Sequence, residues 1–293
     1  MSFLIQQLIN GLGIGAQYAL WCVGYGLVYQ VLGLMHFAHG DSLIFAIFVA
    51  SSLMAIGIPF WVVVILGCIL SAAIAITIER GLYRPIMSRG MVFLAFIAAM
   101  AGGFVLRSLA QVIWGVQPRL FPEGLLPSGT WAVGEIHINQ LAMLNLAVAL
   151  LVVVAFTMYL SRTRQGQAIL AVAQDRYACD LMGISVNKIV ALVYGLSGAI
   201  GFIGLALYAA NYRSVTIALG FSITMKAFIA AIIGGIGSIR GAVFGGLALG
   251  VLESLVAGYI STVLMDAIVT GILIIFLLFR PWGITGRPEV VKL

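Results

Sequence analysis

The chain has 293 residues, of which 63% are hydrophobic and 8% are charged, and its mean hydropathy is +1.17. An ordinary soluble domain carries roughly 25% charged residues, so this composition excludes a water-soluble globular protein. The net charge of +6 comes from Lys and Arg in short stretches between apolar blocks, a pattern that favours membrane orientation over nucleic-acid binding. Three cysteines and seven prolines are too few for a disulfide scaffold or a disordered chain.

Apolar blocks follow one another along the whole chain, and most approach the ~20 residues that a helix needs to cross a bilayer. They lie at residues 12–34, 42–57, 60–79, 91–114, 141–160, 190–210, 217–234, 240–258 and 262–279. The block 42–57 is the short one. We therefore expect an all-α polytopic membrane protein in which residues 1–293 form a single transmembrane domain.

Positive charge collects in three stretches, which the positive-inside rule places in the cytoplasm. They are residues 79–90, residues 161–189, which we name the connector, and the tail. Their basic residues are Arg80, Arg84, Arg89, Arg162, Arg164, Arg176, Lys188, Arg280, Arg287 and Lys292. Residues 115–139 should then lie outside. No Lys or Arg opens the first block, as a cleavable signal requires, so we expect the N-terminus to be retained.

The turn from His36 to Asp41 leaves two arrangements open, because it contains no Lys or Arg and precedes the short block. The favoured one has a cytoplasmic N-terminus and about eight crossings, with residues 36–57 as a re-entrant or broken helix. The alternative has nine crossings and an outer N-terminus.

Glycine recurs every four residues at Gly237, Gly241 and Gly245. Small residues at this spacing let helices approach closely in lipid. We therefore expect these three glycines to form a helix-packing face.

Patterns for catalysis and cofactor binding fail at specific residues. No glycine-rich run ends in the Gly-Lys-Ser/Thr of a nucleotide loop. Gly195-Leu196-Ser197-Gly198 is similar to an intramembrane protease motif, but no histidine follows Ser197 to serve as its base. His36, His39 and Asp41 lack a second ligand cluster for a metal. We expect no enzymatic activity, no metal and no cofactor in this chain.

Four ionisable residues fall within apolar blocks, where burial is costly: Arg107, Lys226, Glu253 and Asp266. Two explanations stand equally. The side chains pair with one another or snorkel to the surface, or they line a polar pathway.

The connector is longer than most loops between helices. It is amphipathic from Gly166 to Asp175, and Gly183 interrupts it before the next apolar block. This pattern predicts a helix, a glycine break and a second helical start, which would form a knob for a soluble partner. An ordinary linker is the alternative.

Four stretches, taken in order, resemble the branched-chain amino acid ABC transporter permease family of the LivH type. Residues 35–40 resemble that family's NFAHG turn, with His36 in place of the usual Asn. Residues 166–184 resemble its ATPase-contacting loop, including the A-x-D…LMGI ending. Residues 226–242 are similar to KAF…GGIGS..GA, and residues 280–286 are similar to RPxGLxG.

The resemblance implies a permease subunit of a bacterial inner membrane that pairs with a second homologous permease. It also implies a periplasmic solute-binding protein and two cytoplasmic ATPase subunits, which bind the ATP. The ATPase-coupling residues that it implies are Gly166, Asp175, Leu181, Met182, Gly183 and Ile184. The residues that we expect along the translocation pathway are His36, Phe37, His39, Lys226 and Glu253.

The departure at His36 leaves the solute open among branched-chain amino acids, other amino acids, urea, short amides and small organic acids. A stand-alone channel or secondary transporter is the alternative function. Such proteins often consist of inverted repeats, and the two halves of this chain show no convincing repeat.

Overall fold

The computed structural model describes residues 2–122, 124–126, 129–133, 136–235, 237–280 and 283–285. Helices dominate because a backbone in lipid has to satisfy its hydrogen bonds within each segment. In chain order they are α1 (Ser2–Leu32), α2 (His39–Ala55), α3 (Phe60–Ile78), α4 (Arg84–Met87), α5 (Val92–Trp114), α6 (Gln140–Arg162), α7 (Arg164–Gln174), α8 (Arg176–Leu181), α9 (Val186–Tyr212), α10 (Leu219–Gly234), α11 (Ile239–Tyr259) and α12 (Met265–Phe279). A π-helical turn, Glu79–Tyr83, joins α3 to α4.

Short strands lie between some of the helices. They are β1 (Arg119–Leu120), β2 (Thr130–Val133), β3 (Ile136–Asn139) and β4 (Ser214–Val215). The strands β2 and β3 form an antiparallel hairpin, and β1 pairs with β4. The second pair ties the segment before α6 to the end of α9, so both lie at one end of the bundle, which the charge pattern assigns to the outside.

Among the described residues, five helical segments are long and apolar enough to cross a membrane: Phe60–Met87, Phe93–Trp114, Gln140–Arg162, Val186–Tyr212 and Ile239–Tyr259. Shorter apolar helices cover His39–Ala55, Leu219–Gly234 and Met265–Phe276. These findings confirm the all-α polytopic fold.

Helices α1 and α11 form a tightly packed antiparallel pair in the core. A methyl group at Gly11 would lie 2.7 Å from Cα of Val251, and one at Gly15 would lie 2.8 Å from Cα of Leu247. Such approaches are possible only without a side chain, and in lipid they supply the dispersion contact that holds helices together. Helices α9, α6 and α10 pack around α1 and complete the core.

The chain is broken after α1, as the sequence predicts near residue 36. Residues 33–38 are not helical, and α2 begins at His39, which is buried inside the bundle. A methyl group at Gly24 of α1 or at Gly201 of α9 would lie 3.4 or 3.0 Å from the His39 ring. Glycine on both helices therefore makes room for this imidazole.

The direction of α1 fits the nine-crossing alternative and not the cytoplasmic N-terminus that the sequence favours. Near the start of α1, the ring of Phe3 packs against Tyr259 at the outer end of α11, with centroids 5.1 Å apart. Near its end, the carbonyl of Val31 accepts a hydrogen bond from Arg176 of the connector. The first helix thus runs from the outer end to the connector end, and α2 returns from the interior toward the outer end.

Candidate functional site

A cavity of about 370 Å³ lies between α1, α9, α10 and α11 in the outer half of the bundle. Aromatic side chains form much of its wall: Tyr18, Trp21, Tyr208 and Tyr212. The rings of Tyr18 and Trp21 are stacked with centroids 5.3 Å apart, and Trp21 also contacts Tyr208. The cavity is large enough for a small organic solute.

The charged part of this cavity is a buried ion pair between α10 and α11. Lys226 Nζ lies 2.8 Å from Glu253 Oε1 and donates to Oε2 at 2.9 Å. The hydroxyl of Tyr18 donates to the same carboxylate at 2.6 Å and accepts from Lys226 at 3.1 Å. Because each charge is both paired and hydrogen-bonded, the group is tolerated at low dielectric constant.

A second cavity of about 250 Å³ reaches the same pair from the side of α12. There Asp266 Oδ1 lies 3.6 Å from Lys226 Nζ, and the Asp266 side chain is 75% exposed. Lys226 and Glu253 therefore form part of the wall of two cavities.

Further inside, His36 and His39 lie together in the broken segment with ring centroids 5.7 Å apart. His36 Nδ1 and Tyr83 Oη are hydrogen-bonded at 2.7 Å, and the His36 ring lies 5.0 Å from the ring of Tyr194. The Nε2 atoms of both histidines have no hydrogen-bond partner within the part of the chain that the structure describes. Both side chains are only about 1% exposed, so these unpaired atoms are enclosed within the bundle.

Phe37 lies beside this cluster rather than within it. Its ring packs edge-on against Phe96 of α5, and its carbonyl accepts a hydrogen bond from Thr224 of α10. The five residues expected along the pathway thus form two groups. Lys226 and Glu253 are in direct contact in the outer half, whereas His36, Phe37 and His39 lie at the break.

Asp41 and Arg107 make a second partly buried ion pair, between α2 and α5. Arg107 Nη2 lies 2.9 Å from Asp41 Oδ1, and its Nε donates to the same oxygen at 3.2 Å. Pairing with Asp41 therefore accounts for Arg107, one of the ionisable residues within an apolar block.

The connector folds as two short helices, α7 and α8. The hydroxyl oxygen of Thr163 caps α7 by accepting from the Gly166 N–H at 2.9 Å, and Asp175 caps α8 by accepting from the Ala178 N–H at 2.9 Å. Gly166 packs on the backbone of Leu160, so only glycine allows the sharp turn from α6 into α7. Gly166 and Asp175, two of the predicted coupling residues, therefore shape the connector.

The turn after α8 presents apolar side chains to the surface. Leu181 is 72% exposed and Met182 is 83% exposed, whereas Ile184 is partly buried against the core. Gly183 follows with a φ of +80°, in the left-handed region that glycine occupies without strain. The glycine break and second helical start are those expected from sequence, but the first helix is divided at Asp175 into α7 and α8.

The helix-packing expectation holds for two of its three glycines. Gly241 and Gly245 of α11 pack against the backbone of Gly234 and Ala230 of α10. Gly237 instead lies in the turn before α11, with a φ of +90°, and a methyl group there would meet no heavy atom of the described residues within 4 Å. Its role in helix packing is a wrong prediction, because α11 begins only at Ile239.

Sequence reasoning missed the tyrosines that complete both groups. Tyr18, Trp21 and Tyr25 recur at helical spacing on α1, which would have placed them on one face. Tyr83 and Tyr194 carry no such signal, because the fold brings them to His36 from distant helices.

Among the described residues, no group of three or more His, Cys, Asp or Glu could hold a metal ion. The predicted tail residues Arg287 and Lys292, and Pro281, Trp282 and Gly286 of the last motif, lie outside the described residues.

Comparison with known proteins gives consistent matches over almost the whole chain. The family model described as the permease component of the branched-chain amino acid transport system matches residues 7–278. The high-affinity branched-chain amino acid transport system permease protein BraD of Pseudomonas aeruginosa is 35% identical, over 98% of this chain and 97% of its own length. The corresponding LivH protein of Escherichia coli is 34% identical over 99% and 98%. The ribose import permease protein RbsC of Escherichia coli is 29% identical over 86% and 78%.

Proposed function

The chain belongs to the family of branched-chain amino acid transport permeases, and we propose that it is one membrane subunit of an ABC importer in a bacterial inner membrane. Its solute is a branched-chain amino acid or a related small polar molecule. A second homologous permease, two cytoplasmic ATPase subunits and a periplasmic solute-binding protein complete the assembly. ATP is bound by the ATPase subunits and not by this chain.

The exposed apolar turn of the connector carries this proposal. Burying apolar surface against a partner is favourable, whereas leaving it in water at the cytoplasmic end is not. Leu181 is the last residue of the capped helix α8 and Met182 follows it directly, so together they offer an ATPase subunit a defined apolar contact. Gly166, Asp175, Gly183 and Ile184 keep that contact in place and do not touch the partner directly.

Force reaches the bundle through two contacts of the connector. Arg176 at the start of α8 is bonded to the carbonyl of Val31 near the end of α1, and Ile184 packs on the core. Closure of the ATPase pair on nucleotide binding moves α8, and α1 moves with it. Because α1 is packed closely against α11, both helices tilt together and the pathway alternates between outward and inward access.

The solute enters through the outer cavity and passes the break between α1 and α2. The Lys226–Glu253 pair and the aromatic wall support the first step, since they combine polar anchoring with apolar contact in a cavity of suitable size. His36, Phe37 and His39 flank the second step. The buried Nε2 atoms of the two histidines support it, because a solute that reaches the break would meet two ring nitrogens without a partner in the described chain.

Replacing Leu181 with Asp tests the proposed contact. A charge at the centre of an apolar interface leaves a carboxylate desolvated, so the association with the ATPase subunits should weaken by about tenfold or more. The measurement is the amount of ATPase that co-purifies with the tagged permease.

Leu120→Asp is the matched control, because Leu120 is 77% exposed but lies in β1 at the opposite end of the bundle. It should leave co-purification unchanged. Equal ATPase recovery from the Leu181→Asp variant and the native chain would refute the proposed contact.

A further inference from the structure

A cavity of about 560 Å³ lies at the connector end of the bundle and shares no lining residue with the two cavities beside Lys226. It is enclosed by the end of α1, the π-helical turn, α4 and the start of α9. Its wall combines basic and apolar side chains: Arg80, Arg84, Arg176, Leu32, Met87 and Val186.

The charges in this cavity do not balance. Its one carboxylate, Glu79, is occupied by Arg84, which donates from Nε at 2.9 Å and from Nη2 at 2.8 Å. Arg84 also donates to the carbonyl of Asn187 at 3.0 Å. Within the described chain, neither Arg80 nor Arg176 has a carboxylate partner, and Arg176 bonds the backbone at Val31. Among the described residues of the wall, three guanidinium groups and one carboxylate leave two positive charges unbalanced.

We infer that this cavity binds the phosphate of an anionic phospholipid. The planar guanidinium group matches phosphate oxygens with paired hydrogen bonds, and it is less strongly hydrated than an ammonium group. The cavity lies at the cytoplasmic end of the helices, where acidic headgroups are found, and basic pockets between membrane helices bind them. The apolar side chains provide a surface for the adjoining acyl chain, which a soluble anion would not use.

The bound headgroup adds a link between two parts of the molecule that the hydrogen bond from Arg84 to the Asn187 carbonyl already joins. Arg80 belongs to the π-helical turn, and Arg176 is the first residue of α8 in the connector. A phosphate between them holds the connector against the bundle. Tyr83 lies in the same wall and is bonded to His36, so the occupied cavity also contacts the break between α1 and α2.

The test measures lipid binding by the full chain, purified in non-ionic detergent and equilibrated with mixed micelles of phosphatidylcholine and phosphatidylglycerol. Native mass spectrometry reports the lipid that remains bound. The native chain should retain phosphatidylglycerol in preference to phosphatidylcholine. The variant Arg80→Gln/Arg176→Gln should bind it about tenfold more weakly, as the loss of charge-assisted hydrogen bonds predicts.

The matched control is Arg162→Gln/Arg164→Gln, which removes the same charge from exposed residues at the same end of the bundle but outside the cavity. It should change the affinity less than about twofold, because screened surface charges contribute little. Arg80→Gln alone changes an exposed side chain without an ion-pair partner in the described chain, and it serves as the test if Arg176→Gln perturbs folding. Equal losses in the two double variants, or no preference for phosphatidylglycerol, would overturn the inference.

A further arm distinguishes the lipid from a soluble anion. Inorganic phosphate is titrated against the native chain in phosphatidylcholine micelles and in mixed micelles. Competition with bound phosphatidylglycerol supports recognition of the headgroup phosphate. Binding of inorganic phosphate to a chain that retains no phosphatidylglycerol would identify a soluble anion and overturn the lipid assignment.

Discussion

Individual glycines decide how closely the helices of this protein approach, and Gly40 is the tightest example in the pathway region. It lies one residue after the start of α2, and its Cα faces the carbonyl of Gly220 on α10. Its N–H donates to the Thr224 hydroxyl at 2.9 Å. The neighbouring Asp41 packs against Gly220 and pairs with Arg107. Small residues here allow three helices to meet beside the broken segment.

Replacing Gly40 with Ala should therefore destabilise the protein. The added methyl group would overlap the Gly220 carbonyl, and relieving that overlap requires a backbone shift costing about 1–3 kcal/mol or more. Thermal unfolding of the detergent-solubilised chain, followed by size-exclusion chromatography, measures the loss as a lower melting temperature. Gly26→Ala is the control, since among the described residues its methyl group would meet only the Ala242 side chain, at an ordinary 3.8 Å. Equal melting temperatures for the two variants would contradict this account of Gly40.

Residue-level prediction succeeded where charge had to be neutralised and failed where geometry alone decides. Burial of Lys226 and Glu253 in apolar blocks predicted either pairing or a polar pathway, and the structure pairs them at the edge of a cavity. The participation of Tyr18 could not be read from its type, because a tyrosine within an apolar helix fits core packing equally well.

Element boundaries were predictable wherever an apolar block met charged residues. The block 91–114 corresponds to α5, Val92–Trp114, and the block 141–160 corresponds to α6, Gln140–Arg162. Helix α1 begins ten residues before its block, at Ser2 rather than residue 12. Polar side chains near its start interrupt the apolar pattern by which the sequence indicates a helix. These side chains form hydrogen bonds within α1 or with α11. Gln6 donates to Asn10, and Gln7 accepts from Ser254.

The turn between α8 and α9 depends on the left-handed backbone conformation of Gly183. Gly183→Val places a β-branched residue in the left-handed region, which costs about 1–2 kcal/mol and is relieved by reorienting the turn. We expect the permease to assemble with its ATPase partners while transport per ATP hydrolysed falls, because α8 no longer moves rigidly with α9. Parallel measurement of ATP hydrolysis and solute uptake in proteoliposomes reports this ratio.

Gly90→Val controls for the strain itself. Gly90 has a φ of +73°, lies in an open turn after residues 84–89 and is outside the connector. It carries the same backbone penalty without touching α8. The same reduction of the ratio in both variants would show that the position of Gly183 on the connector has no special importance.

At the scale of the whole molecule, the sequence predicted the fold class but not the direction of its first helix. The positive-inside rule orients a chain only where Lys or Arg is present, and residues 33–41 contain neither. The direction emerges from long-range packing, with Phe3 against Tyr259 and Arg176 against Val31. Such contacts depend on the assembled bundle and leave no local pattern in the sequence.

Energy coupling, like the direction of α1, depends on contacts that leave no local pattern in the sequence. The chain has no nucleotide-binding motif, and its one exposed apolar turn at the cytoplasmic end, among the described parts of the connector, suits a partner that supplies the energy. We propose that a conformational change in the bundle is driven from outside, through a differential contact with the two states of that partner. Dependence on a partner is thus the central claim about this protein.

Uptake of radiolabelled leucine into proteoliposomes tests that claim most directly. The chain is reconstituted alone, and also with its second permease and ATPase subunits, each with and without ATP, with the solute-binding protein and leucine on the side opposite the ATPases. We expect accumulation only in the complete, ATP-supplied vesicles, and a loss of that accumulation when the ATPase subunits are omitted. Leucine entry through the chain alone in ATP-free vesicles would contradict it and identify a channel or secondary transporter.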